Sequence, residues 1–157
     1  MRAYRGRLLT GSGPGMQVHA ASFIRQRRMA LDGALRPHPL ELSRVVIHEI
    51  FHFVWVRLSN SARRSWEGVL AGEVRRRARG DLGWSSEMRK SALPAGAVHD
   101  RSRAWRDYAC ESFCDTAAFL FSGLASHPEF TLKPAFRRRR AAWFVELFRH
   151  QEGGLRI

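Results

Sequence analysis

The apolar positions of this chain follow a helical period through its middle and its C-terminal part. Residues 39–59 are apolar on nearly every side, which predicts a buried helix, and Pro39 is a favourable first residue for it. Residues 61–80 carry apolar side chains on one face and arginines over the rest. Two further helices are predicted over residues 100–122 and 134–150. The chain is therefore mainly helical from residue 39 onwards.

Capping residues and glycines indicate where these helices end. Asn60 is predicted near the C-cap of the first helix, and Asp100 and Gly123 are predicted to cap the third. Residues 80–100 contain three glycines and Pro94, and we expect them to form mostly loop. A loop of that length is either functional or mobile.

The N-terminal part has a different pattern. Residues 18–31 interleave apolar side chains with arginines and predict one or two short strands with an exposed basic face. Residues 1–17 include a glycine-rich run at 11–15 and are predicted to form a flexible arm. Strands followed by helices indicate an α+β fold, and a chain of 157 residues supports a single domain with one core.

The charge is strongly basic, at +13, and arginine supplies nearly all of the positive charge. Arginines are concentrated at Arg75–Arg77 and Arg137–Arg140. Such an excess predicts attraction to polyanions such as nucleic acid, anionic lipid or acidic peptides. A solvated basic surface without a partner accounts for the composition equally well.

The two cysteines, Cys110 and Cys114, lie four residues apart and share one face of the third helix. This geometry is poor for a disulfide and favours buried thiols in a reducing compartment. No apolar run reaches membrane-spanning length, and no apolar segment of a secretory signal follows the basic N-terminus. We therefore expect a cytoplasmic protein.

The strongest chemical signal is His48-Glu49-Ile50-Phe51-His52 in the first helix. Positions i and i+4 lie on the same helix face, so His48 and His52 can bind one metal ion. Glu49 lies one step round the helix, where a general base for a metal-activated water is needed. Unpaired polar groups are costly inside a buried helix, and this favours a metal site over a chance match.

A catalytic zinc ion takes three protein ligands, and the third helix offers another one. Glu111 and Asp115 are an i, i+4 pair in an apolar setting. Glu111 is predicted to reach the metal, and Asp115 to orient a ligand histidine. The alternative is that both acids are exposed and pair with arginines.

The order His-Glu-x-x-His followed by Glu111-x-x-x-Asp115 resembles the gluzincin clan of zinc metallopeptidases, and the length is similar to that of the minimal gluzincins. The resemblance implies a zincin-like fold, in which a small twisted sheet packs on the active-site helix and on a second ligand-bearing helix. It also implies that an edge strand, which we assign within residues 21–31, binds an extended peptide or protein substrate.

The same resemblance implies a role for each matching residue. One Zn²⁺ per chain would be held by His48, His52 and Glu111. Glu49 would be the general base, and Asp115 would hold His48. The implied activity is hydrolysis of peptide bonds by a metal-activated water. Two alternatives stay open: a zinc-binding module that is latent or inactive, and an arginine-rich protein that binds polyanions.

One part of the gluzincin pattern has no clear counterpart. These enzymes have a further His or Tyr that stabilises the oxyanion, and Tyr108, His99 and His127 are the candidates here. Tyr108 is favoured because it lies one turn before Glu111, although a packed tyrosine with a hydrogen-bonded hydroxyl is an equal alternative. Cys110 stands where the resemblance would place an asparagine.

Overall fold

The computed structural model describes residues 2–4, 7–9 and 17–149, with side chains from residue 19 onwards. Within these ranges, five helices and two small antiparallel sheets form a mixed α+β fold. The helices are α1 (Pro39–Arg57), α2 (Asn60–Arg75), α3 (Trp84–Ser91), α4 (Arg103–Phe121) and α5 (Pro134–Arg149). The four long helices confirm the sequence prediction, except that α2 ends at Arg75 rather than at residue 80. No helix in the described ranges is both long and apolar enough to cross a membrane.

The helix caps differ from the prediction at two serines. Asn60 does not cap α1; it is the first residue of α2, because the hydroxyl of Ser59 accepts a hydrogen bond from the amide of Ala62 and caps that helix. Ser102 likewise caps α4 in place of Asp100. The prediction of Gly123 agrees with the structure, since it follows α4 with φ of +80°.

Helix α3 lies in the segment predicted to be mostly loop, so that prediction was wrong for these eight residues. Its two large apolar side chains, Trp84 and Met88, are exposed, so the helix buries no apolar stripe in the core. Tertiary contacts hold it in place. The amide of Ser86 donates to Asp115, and Nζ of Lys90 donates to the carbonyl of Gly80.

The prediction of one or two short strands within residues 18–31 is confirmed, and there are two. Strands β4 (Ala20–Phe23) and β5 (Arg28–Leu31) form an antiparallel hairpin, and a short 3₁₀ turn joins them. A second sheet consists of β1 (Arg2–Tyr4), β2 (Arg7–Leu9) and β3 (Gln17–Val18). Part of the predicted arm is therefore paired strand, and its glycine-rich run at 11–15 lies outside the described residues.

The core forms where α1 and α4 pack along each other. Phe51 and Trp55 of α1 contact Phe113 of α4, and Phe113 stacks on Phe144 of α5. Trp66 of α2 is fully buried, and its indole N–H donates to a backbone carbonyl of α4. These contacts fix the two helices that carry the metal-site motifs.

A buried ionic network joins α2, α5 and the segment before α3. The guanidinium of Arg140 is fully buried and donates to both carboxylate oxygens of Glu73, at 2.9 and 2.7 Å, and of Asp81, at 2.6 and 3.2 Å. The hydroxyl of Tyr108 donates to Asp81 as well. Arg140 is therefore part of the core, although the sequence predicted a basic surface block that includes it.

Arg137 also has an internal role. Its guanidinium donates to the backbone carbonyls of Phe130 and Leu132, in the segment just before α5. Of the block at 137–140, only Arg138 and Arg139 are exposed. Half of the proposed polyanion surface at this helix is thus used to hold the fold together.

Candidate metal centre

The side chains of the two motifs meet between α1 and α4. Nε2 of His48 lies 3.1 Å from Nε2 of His52. Oε2 of Glu111 lies 3.4 Å from the first of these nitrogens and 4.0 Å from the second. All three side chains are half-buried. The structure therefore brings together the three residues that the sequence predicted as ligands.

The spacing of these three atoms fits a metal ion. A point equidistant from them lies about 2.1 Å from each, close to the typical Zn–N and Zn–O distances of about 2.0–2.2 Å. Two imidazoles and one carboxylate are also the donor set of catalytic zinc sites, which keep a fourth position open. We call His48, His52 and Glu111 the candidate metal centre.

Asp115 lies behind the candidate metal centre and holds His48. Its Oδ1 is 2.7 Å from Nδ1 of His48, and its Oδ2 accepts a hydrogen bond from the amide of Ser86. A carboxylate on Nδ1 keeps the proton there and leaves Nε2 free to bind a metal. This is the contact that the resemblance implies.

The charges around the centre shift two pKa values in opposite directions. Burial alone would lower the pKa of His48, but Asp115 and Glu111 outweigh it and raise that pKa to about 10. Burial alone would raise the pKa of Glu111, but the two histidines outweigh it and lower that pKa to about 2. A proton on His48 occupies the position that a metal would take, so metal binding must release it and is favoured at higher pH.

Glu49, the predicted general base, lies beside the candidate metal centre. Its side chain is buried, and a carboxylate oxygen lies within 4.8 Å of ring nitrogens of His48 and His52. Its backbone carbonyl accepts a hydrogen bond of 3.0 Å from the hydroxyl of Ser22 in β4. Strand β4 is thereby attached to α1 at the residue predicted to be the base.

A cleft of about 260 Å³ opens over the candidate metal centre. It is lined by the two histidines, Glu49 and Glu111, by Ala21 and Ser22 of β4, and by Ser85 of α3. A neighbouring cavity of about 510 Å³ shares His48, Glu49 and Ser85 and extends to Trp84. Strand β4 thus forms one wall of the cleft, within the range predicted for an edge strand.

The structure places the predicted oxyanion residues elsewhere. Tyr108 is fully buried, and its hydroxyl donates to Asp81 in the ionic network, so the prediction that it is catalytic is wrong. His99 is exposed and contacts Asp100. His127 contacts Glu41, at the N-terminal end of α1. None of the three candidates lines the cleft.

Helix α3 supplies site residues that the sequence analysis missed. Nη2 of Arg89 lies 3.3 Å from Oε1 of Glu111, and Nη1 of the same guanidinium donates to the carbonyl of Ser85. The side chain of Arg89 is 42% exposed and lies beside the carboxylate of Glu111, although it is not one of the residues that line the cleft. Ser85 and Arg89 have the i, i+4 spacing of one helical turn, but this indication of a helix is weak. The three glycines in residues 80–100 favoured a loop instead.

Both cysteines are free thiols, Cys114 buried as predicted and Cys110 half-buried, and both face His52. Sγ of Cys110 lies 3.6 Å and Sγ of Cys114 lies 3.4 Å from Nδ1 of that histidine. A hydrogen bond from Cys114 and the neighbouring His52 lower the pKa of Cys110. Burial raises the pKa of Cys114 well above its ordinary value.

Comparison with protein-family models, with curated proteins and with solved structures finds no match for this chain. The fold class is α+β, and the site is a group of His, Glu and Cys side chains that could hold a metal ion. The geometry of this site is therefore the main indication of what the protein does.

Replacing Gly83 by alanine should disturb the candidate metal centre indirectly, through Asp115. A Cβ atom at Gly83 would lie only 2.2–2.4 Å from the carboxylate of Asp115, so that carboxylate must move. We expect a loss of zinc affinity of roughly 10–100-fold, as for other changes behind metal ligands. We also expect a loss of about 1–3 kcal/mol in the free energy of unfolding, from overpacking.

Gly68→Ala is the matched control, because no atom lies within 4 Å of a Cβ at that position of α2. Alanine there should stabilise the protein by about 0.5–1 kcal/mol through helix propensity and leave zinc affinity unchanged. Chelator competition and urea unfolding measure both quantities. Equal zinc affinity in the two variants would show that the contact with Asp115 does not control the site.

Proposed function

We propose that this protein is a zinc-dependent peptidase of the gluzincin type, with a zincin-like arrangement of β4, α1 and α4. The observation that carries the proposal is the triangle formed by His48, His52 and Glu111, with Glu49 beside it in the same cleft. If the His-Glu-x-x-His motif were a chance match, nothing would require the carboxylate of Glu111, about 60 residues further along the chain, to lie beside the two histidines.

The residues around the centre have separate roles in the proposed hydrolysis. A bound zinc ion would supply a Lewis acid that activates water and polarises a carbonyl oxygen. Glu49 accepts a proton from the attacking water and passes it to the leaving amine. Asp115 keeps His48 in the tautomer that exposes Nε2.

The proposed substrate is an extended peptide segment. Strand β4 pairs with β5 along one edge, and its Ala21 and Ser22 line the cleft. An extended peptide that pairs with β4 would place its backbone beside Glu49 and the candidate metal centre. Main-chain hydrogen bonds of this kind bind peptides of many sequences, and the neighbouring cavity at Trp84 would accept a side chain.

Arg89 replaces Tyr108 as the residue proposed to stabilise the oxyanion. Its guanidinium contacts Glu111, and its exposure leaves N–H donors available to a substrate oxygen. Donors that reach the oxygen on which negative charge develops lower the barrier of acyl transfer, and Arg89 would have to turn from Glu111 toward the cleft to do so.

The alternative of a polyanion-binding protein keeps one supporting observation. Arg75, Arg76 and Arg77 are all exposed at the end of α2. The second predicted cluster supports it less, because Arg140 is buried and Arg137 holds backbone carbonyls. An open cleft over the candidate metal centre makes the peptidase the better-supported function.

Metal analysis tests the first requirement of the proposal. Purified protein should contain one zinc ion per chain, and Asp115→Ala should weaken zinc binding by roughly 10–100-fold because His48 loses its partner. Asp107→Ala is a matched control, since Asp107 lies on the same helix and is exposed. A protein that neither contains zinc nor takes it up would overturn the peptidase proposal.

A further inference from the structure

The ring of His52 has polar neighbours on both sides. Nε2 faces the candidate metal centre, and Nδ1 faces the thiols of Cys110 and Cys114. These two sulfur atoms and Nδ1 all lie within 4.8 Å of one another. The proposed peptidase activity gives no role to this dithiol, although it touches a proposed ligand.

The distances between these atoms are those of a metal site. Zinc–sulfur and zinc–nitrogen bonds of about 2.3 and 2.05 Å, at a tetrahedral angle, place S and N about 3.6 Å apart, and a larger ion such as Cd²⁺ needs a slightly wider spacing. The observed separations from Nδ1 of His52 are 3.6 Å to Cys110 and 3.4 Å to Cys114. The three atoms can thus bind one ion with little movement.

The donor set indicates which ions would bind there. Two thiolates and one imidazole are soft ligands, which favour thiophilic ions, whereas the candidate metal centre has two imidazoles and a carboxylate. Cys110 is half-buried and Cys114 is fully buried. An ion would therefore enter past Cys110 and release the protons of both thiols to solvent as it binds.

We propose that Cys110, Cys114 and Nδ1 of His52 form a second metal site, for a soft thiophilic ion such as Cd²⁺, and that this ion competes with the ion at the candidate metal centre. A neutral imidazole offers one nitrogen lone pair and keeps a proton on the other nitrogen. His52 can therefore serve one site or the other. The proposed competition requires that an ion binds at the candidate metal centre. The dithiol site itself does not depend on that centre.

Cadmium titration of zinc-free protein tests the second site by itself. The sulfur-to-cadmium charge-transfer band in the ultraviolet should grow to saturation at one ion per dithiol. Cys110→Ser and Cys114→Ala should each abolish most of the band, and circular dichroism checks that both variants are folded. Since Cys110 is partly exposed, its variant is the less disruptive of the two.

Two control variants separate the sites. Ser112→Ala lies on the same helix between the cysteines and should leave the band unchanged. Glu111→Gln removes a ligand from the candidate metal centre only and should also keep the band. A band that is absent in wild-type protein, or that persists in the folded cysteine variants, would overturn the dithiol site whether or not the protein is a peptidase.

Competition is measured on zinc-loaded protein by adding one equivalent of Cd²⁺ and following zinc release with an indicator. Wild type should release its zinc, and the Cys110→Ser, Cys114→Ala double variant should retain it under the same conditions. Equal release from both proteins would overturn the competition, because cadmium would then displace zinc directly from the candidate metal centre. Charge-transfer absorption without zinc release would also overturn it.

Discussion

Peptide hydrolysis should fall by about 10²–10⁴-fold or more when Glu49 is replaced by glutamine, because the positioned base is lost. Glutamine is nearly isosteric with glutamate, and the three proposed ligands are untouched, so zinc and the fold should be retained. The Ser22 hydroxyl binds the backbone carbonyl of residue 49, and that contact survives the change. The measurement is kcat/KM on a peptide that wild type cleaves only in the presence of zinc.

Glu146→Gln is the control for this experiment, since it makes the same chemical change at an exposed position of α5. It should hydrolyse the peptide at the wild-type rate. The assay starts from a mixed peptide library and continues with a single cleaved sequence. If zinc-replete Glu49→Gln protein is as fast as wild type, Glu49 is not the base and the proposed mechanism is wrong.

Arg140→Ala should lower the free energy of unfolding by about 3–5 kcal/mol, because removing one partner of a buried ion pair leaves the other charge uncompensated. Glu73 and Asp81 would both remain buried without their guanidinium. Lys90 lies 3.8 Å from Asp81 and compensates part of that charge. Urea unfolding followed by circular dichroism measures the loss.

The neighbouring Arg139→Ala removes the same side chain from an exposed position of α5. It should change stability by no more than about 0.5 kcal/mol, as surface substitutions usually do. The pair of variants therefore distinguishes the buried network from a general effect of lowering the net charge. Similar stabilities for the two variants would mean that Arg140 is not the centre of a stabilising network.

The sequence was sufficient for the ligand helices because their signals are local. The i, i+4 spacing places His48 and His52 on one face of α1, and Glu111 and Asp115 on one face of α4. Whether these faces meet is a tertiary question, which was addressed in advance by the need of a zinc ion for a third ligand and by the resemblance to gluzincins. The strand pair within 18–31 was predictable for the same reason, since its pattern is also local.

The misses depended on neighbours that are distant in sequence. Tyr108 and Glu111 lie three residues apart, but the hydroxyl of Tyr108 donates to buried Asp81, and Tyr108 does not line the cleft. Helix α3 is held by Asp115 from another helix, so its own eight residues gave little signal. Arg140 could have been found, because it lies four residues before buried Phe144 and shares its helix face.

The two ligand-bearing helices are separated in the chain by α2 and α3, and this gives an ion at the candidate metal centre a mechanical consequence. It would act as a removable cross-link that closes a loop of about 60 residues, and a covalent link across such a loop restricts the unfolded chain by roughly 4 kcal/mol. Zinc would then set the resistance of the protein to denaturation, rising with its free concentration. A chelator would remove the ion and restore the conformational entropy of the unfolded chain. The same ion would therefore control both the proposed hydrolysis and the stability of the fold.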